Sequence, residues 1–253
     1  RGMGYSHVFN GGGAEAVHTY LETPRTNSAA MTELFGVYYR AGMFEDAVRI
    51  ASRAGAYDDP RGMDGHYNAS LALARLGLHE QALEKLRISQ PSRKTPSDVA
   101  FQIAIVKIGL GKFSQARRIL EELVKERYSE APKLLERLPE LESAANELAG
   151  MPAAAPPEYR ARLVAFLGRE PAAIQAWSEV VRAPEASEAL LHEALVYLVQ
   201  CGDRGAIAAA ARALSEKRGK LTPELSGMVE VRLDELDRLA RARERWKDGP
   251  AAR

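Results

Sequence analysis

Thiol chemistry is almost absent from this chain, whose one cysteine is Cys201. A lone cysteine cannot close an intramolecular disulfide, which fits a reducing compartment and makes the cytoplasm the expected location. With no Cys or His close in sequence to activate it, Cys201 reads as a small buried hydrophobe. Long hydrophobic runs are also missing: nothing approaches the roughly 20 consecutive apolar residues that span a bilayer. An excess of one charge is missing too, because 35 Lys and Arg stand against 34 Asp and Glu. Without a global field, neither nucleic acid nor an anionic membrane is an expected partner. Strand-like runs are few and short. The best of them, "IAIVKI" (Ile103 to Ile108), lies between Asp98, read as an N-cap, and the break at Gly109 to Gly111, and its length suits a helix.

Chemistry-bearing motifs fail in turn. "HEALV" (His192 to Val196) has Val196 where a zinc-binding helix needs its second histidine, so the clamp is incomplete. "NGGGAEAV" (Asn10 to Val17) lacks the Lys and Ser/Thr of a phosphate loop and reads as a flexible approach to a helix. "DDPRGMDG" (Asp58 to Gly65) misses the ligand alternation of a calcium loop and reads as a connection. No Ser, Cys or Lys nucleophile has a recognisable base partner. The expectation is therefore a non-enzyme with no cofactor and no metal.

What the chain has is a repeated spacing. "YYRAGMFEDAVRIAS" (Tyr38 to Ser52) places Ala47 five residues after Gly42. The same step recurs from Gly77 to Ala82, Gly111 to Ala116 and Gly168 to Ala173. Ala47 to Ala82 is 35 residues, Ala82 to Ala116 is 34, and Ala173 to Ile207 is again 34. A glycine ends one helix in the left-handed conformation it adopts cheaply, and a small residue lets the next helix approach closely. Leu86, Leu120 and Trp177, four positions after an Ala, fall on the same helical face one turn later. Between Ala116 and Ala173 the register breaks, with Pro132 and Pro139 read as interruptions and "MPAAAPPE" (Met151 to Glu158) as a linker. From Leu221 onward, Thr222 as N-cap and Pro223 as first helical residue open a last helix with an apolar stripe at Leu225, Val229, Leu233, Leu236, Leu239 and Trp246.

This period and pattern resemble the tetratricopeptide repeat family, whose unit is a helix, turn, helix hairpin. Met31, Leu34, Phe35 and Tyr38 stand at the first-helix positions of the first unit, followed by Ala47, Ala51 and Pro60. His66, Ala69, Ser70 and Leu73 do so in the second unit, and Ala100, Ile103 and Ala104 in the third, where Lys107 replaces the usual Tyr. The resemblance implies an all-α fold, a right-handed superhelical α-solenoid with a C-terminal capping helix. Its expected divisions are an N-terminal segment and leading helix (1–28), three repeats (29–128), an irregular helix plus Pro/Ala-rich linker (129–158), two further repeats (159–218) and the capping helix (221–248).

The resemblance also implies function. The outward positions of the first helices would line a concave groove: Thr32, Glu33, Gly36, Tyr39 and Arg40, then Tyr67, Asn68, Leu71 and Arg75, then Asp98, Phe101, Gln102, Ile105 and Ile108. Of these, Tyr39, Arg40, Tyr67, Asn68, Leu71, Arg75, Phe101, Gln102 and Ile105 are the expected partner-binding residues. Some family members clamp a terminal carboxylate at positions that here hold Thr32, Gly36, Asn68, Asp98 and Gln102, and Asp98 would repel that ligand. An extended or helical segment of a protein partner, with apolar anchors, suits the surface better. Two alternatives stand beside this scaffold reading: an assembly subunit that self-associates through repeat edges or the final helix, and the helical regulatory part of a larger protein, since the chain begins at Arg1.

Overall fold

The computed structural model describes residues 28–55, 65–89, 96–152, 154–201, 204–216 and 222–248. Among the described residues the chain forms twelve helices and no strand, an all-α solenoid of hairpins. Helices α1 (Ser28–Arg40) and α2 (Phe44–Gly55) make the first hairpin, α3 (Gly65–Arg75) and α4 (His79–Ser89) the second, and α5 (Pro96–Gly109) and α6 (Phe113–Lys125) the third. A single helix, α7 (Ala131–Gly150), follows. Then come α8 (Pro157–Phe166) with α9 (Glu170–Arg182), α10 (Glu188–Cys201) with α11 (Arg204–Glu216), and finally α12 (Pro223–Asp248). Each helix packs on its neighbour in sequence, as a stacked array requires.

The turns are as the spacing implies. Gly42, Gly77, Gly111 and Gly168 have φ of 71°, 75°, 72° and 67°, which only glycine adopts without steric penalty. Past each glycine the next N–H donates five residues back, from Met43 to Tyr38 (2.9 Å), Leu78 to Leu73 (2.9 Å), Lys112 to Lys107 (2.8 Å) and Arg169 to Val164 (3.1 Å). Each glycine N–H itself donates three residues back, so orphan carbonyls at the helix end are satisfied by the backbone alone. After these turns Ala47, Ala82, Ala116 and Ala173 have no exposed surface, and one helical turn later Leu86, Leu120 and Trp177 fill the core. Leu191, Ala194, Leu195 and Leu198 of α10 are equally buried, as is Ile207 of α11, so the fifth hairpin keeps the pattern. Its expected turn glycine, Gly202, lies outside the described residues, as do the leading helix before residue 28, Pro60 and most of the Asp58 to Gly65 connection.

Two local expectations change. Asp98 is not the cap of α5, because that helix already begins at Pro96 and Asp98 sits in its first turn. Its carboxylate instead accepts a hydrogen bond from Tyr128 Oη at 3.0 Å. The stretch after Ser129 is one continuous helix of 20 residues. Pro132 occupies the first turn, where a missing N–H is no loss, and Pro139 lies on the exposed side.

The last helix does more than cover the end of the array. Thr222 caps it, its Oγ1 accepting from the Leu225 N–H at 3.2 Å. Leu225, Val229 and Leu236 pack into the core that α9, α10 and α11 share. Leu239, one turn further on, is fully buried in a different cluster, among Leu34, Phe35, Val37 and Tyr38 of the first hairpin and Ala69 and Ala72 of α3. The C-terminal helix therefore spans from the last hairpins to the first.

Candidate functional site

Helix α3 presents Tyr67, Asn68, Leu71 and Arg75 in order along its length, and α5 presents Phe101, Gln102 and Ile105. The structure divides these residues into two neighbourhoods.

The first lies at the turn end of the hairpins. Tyr39, on the last turn of α1, stacks on Phe35 (centroids 5.4 Å apart) and meets Phe44 edge-on, also at 5.4 Å. The Arg75 guanidinium covers both rings, 5.9 Å from the Tyr39 centroid and 5.3 Å from that of Phe44. Arg75 is also held in a fork by Glu170 of α9: its Nε donates to Oε2 at 2.8 Å and its Nη2 pairs with Oε1. The partners are 95 positions apart in sequence. Burial raises the Tyr39 hydroxyl above the ordinary phenol range, with the positive charge of Arg75 opposing. Arg75 and Tyr39 are thus engaged by the chain itself. Leu71 packs half-buried against this same cluster. Arg40 is exposed, and its guanidinium lies back along Gly36, where a Cβ would stand 3.2 Å from Nη1.

The second neighbourhood lies toward the N-terminal ends of α3 and α5. Phe101 packs on Tyr128 with centroids 5.2 Å apart, and Tyr128 donates to Asp98. Burial, then the hydrogen bond to Asp98 and its charge, with Tyr67 and Glu130 adding to them, push the Tyr128 hydroxyl up to about 12. Tyr67 is half-buried beside the core of the second and third hairpins, and Asn68 is half-buried next to it on the helix. Ile105 is 37% exposed, one helical turn beyond Phe101, while Gln102 is turned inward at 6% exposure. Gln102 thus belongs to the stack between helices rather than to the surface.

Tyr128 escaped the sequence reading. It follows Arg127, whose φ of 60° makes it the left-handed residue that ends α6, and the Tyr128 N–H donates to the Leu123 carbonyl at 2.9 Å. That is the glycine turn geometry carried by an arginine, and it throws the next side chain onto Phe101. The available signal was an aromatic residue directly after a helix end, a weak one without a glycine to mark the turn.

Elsewhere the chemistry is quiet. Among the described residues no group of three or more His, Cys, Asp or Glu is placed to hold a metal ion. Cys201 is buried, and burial raises its thiol, so it has little thiolate character. No described helix is long and apolar enough to cross a membrane.

Helical hairpins at a 34-residue period, closed by left-handed glycines and stacked through alanine contacts, define a helical-repeat protein. No family model matches the chain, and no curated protein matches it. Among solved structures it is similar to the crystal structure of a tetratricopeptide repeat protein from Parabacteroides merdae ATCC 43184, at 17% sequence identity and a TM-score of 0.42, over 91% of this chain and 96% of that one. The chain's own resemblance to the tetratricopeptide pattern rests on its glycine turns and alanine contacts.

Proposed function

We propose that the protein is a non-catalytic interaction scaffold that receives an extended or helical segment of a protein partner across α3 and α5. Tyr67 and Phe101 act as anchors, Asn68 supplies polar contacts, and Ile105 extends the apolar strip. The observation that carries this reading is Ile105: a β-branched side chain 37% exposed, one turn from a half-buried aromatic, on a helix that otherwise buries Val99, Ala104, Val106 and Ile108. A rigid stack that already fixes these side chains loses little entropy on binding. The test is Ile105→Lys, a change at an exposed position that leaves the core intact. A photo-reactive residue at position 101 should cross-link a partner in the parent chain, and Ile105→Lys should reduce that product about tenfold with the thermal midpoint unchanged. Equal cross-linking in both chains would remove α3 and α5 as the binding face.

Self-association through α12 is a second reading, favoured by Met228 and Val231, which are 49% and 67% exposed one turn apart on that helix. Light scattering across a wide concentration range decides it, a constant monomer mass ruling it out.

A further inference from the structure

We infer that the C-terminal half of the chain is an intramolecular occupant of the face formed by the first hairpin and α3, a latch that closes that face against other ligands. Two contacts converge there from two separate helices. Glu170, at the first residue of α9, forks onto Arg75. Leu239 of α12 is fully buried among first-hairpin residues and alanines of α3. Successive hairpins of a solenoid touch only their neighbours. Contacts between hairpins so far apart are a closure added to the array.

The closure is built to release. Its polar part is the fork between Arg75 and Glu170, in which the Arg75 side chain is 42% exposed, so water and salt weaken the ion pair. The apolar part, among the described residues, is one leucine. The cluster that Leu239 joins includes Phe35, with Tyr39 and Leu71 packed against it and Arg75 at its edge, and releasing Leu239 and Glu170 opens that cluster to a competing helix that offers a leucine and a carboxylate.

This goes beyond the scaffold reading, because the Ile105→Lys experiment does not touch it. The test uses the full chain carrying Glu170→Gln with Leu239→Ala, and as probe a labelled peptide of residues 223–248. Hydrogen exchange should accelerate at least tenfold in α1 and α3 while α5 and α6 keep their protection, and the variant should bind the peptide saturably where the parent chain does not. Unchanged exchange in α1 and α3, or a uniform loss across all hairpins, overturns the latch. So does failure of the opened variant to bind the peptide. Glu170→Gln alone, which keeps every apolar contact, should give a smaller acceleration confined to the same helices, and acceleration elsewhere likewise overturns it.

Discussion

Gly77→Ala isolates the backbone contribution of a hairpin turn. At Gly77 φ is +75°, and a Cβ built there meets nothing within 4 Å, so packing takes no part in the outcome. An L-residue in the left-handed region is strained by about 1–2 kcal/mol. Replacing glycine also restricts the unfolded chain, which returns about 0.4–1 kcal/mol. The net expectation is a destabilisation of about 1 kcal/mol, or a thermal midpoint lowered by about 2–4 °C in a chain of this size. Arg127 offers the reverse experiment, since its φ of 60° already carries that strain. Arg127→Gly should raise stability by up to about 1 kcal/mol, its exposed side chain giving up little packing. Urea unfolding followed by far-ultraviolet circular dichroism measures both. If Gly77→Ala leaves the midpoint unmoved, or Gly77→Asn is as damaging as Ala although Asn tolerates the left-handed region, the turn argument is wrong.

Three further outcomes follow from named contacts. Gly109→Ala should destabilise by about 1–2 kcal/mol despite the better helix propensity of alanine, because its Cβ would fall inside the His79 imidazole, and a double-mutant cycle with His79→Ala should recover most of the loss. Burial, with Arg169 nearby, holds His79 below the ordinary imidazole range. The unfolded chain therefore takes up this proton first as pH falls, so stability should decline below about pH 6.5 in the parent chain and decline less in His79→Gln, as read by unfolding midpoints across pH. Tyr128, raised to about 12, should contribute stability in full below about pH 10 and lose it as pH rises toward 12, a loss absent in Tyr128→Phe, which itself removes about 1 kcal/mol of hydrogen bonding to Asp98.

The repeat was legible because its determinants are local. A glycine and an alanine five residues apart both act within one hairpin, so spacing alone located four turns and the side chains that fill them. The cap of α12 was legible for the same reason, Thr222 and Leu225 being three residues apart. Asp98 was misread because Ser, Thr, Asn and Asp favour both caps and first turns, and only the tertiary contact with Tyr128 distinguishes its role. Pro139 reads as a breaker in isolation, yet the helix continues through it, since Leu138 and Leu141 on either side are buried against the third hairpin's core. Gln102 falls at an outward position by spacing, but neighbouring helices close over it.

The break in register between Ala116 and Ala173 turns out to be the feature that shapes the candidate site. It spans 57 residues where an uninterrupted array would use about 34, and the excess is close to the length of α7. An unpaired helix between hairpins changes which side the next hairpin offers. After α7 the turn of α8 and α9 packs its Leu167 into the core of the third hairpin and extends Glu170 to Arg75 of the second. A sixth helical pair in place of α7 would have carried the array onward and left Arg75 without the Glu170 carboxylate. Instead the chain's own later helices reach the turn end of α1 and α3 through Glu170 on Arg75 and through Leu239, while Ile105 of α5 stays exposed. The irregularity that looks like a defect in the repeat is what brings Glu170 of a later hairpin onto Arg75 of an earlier one.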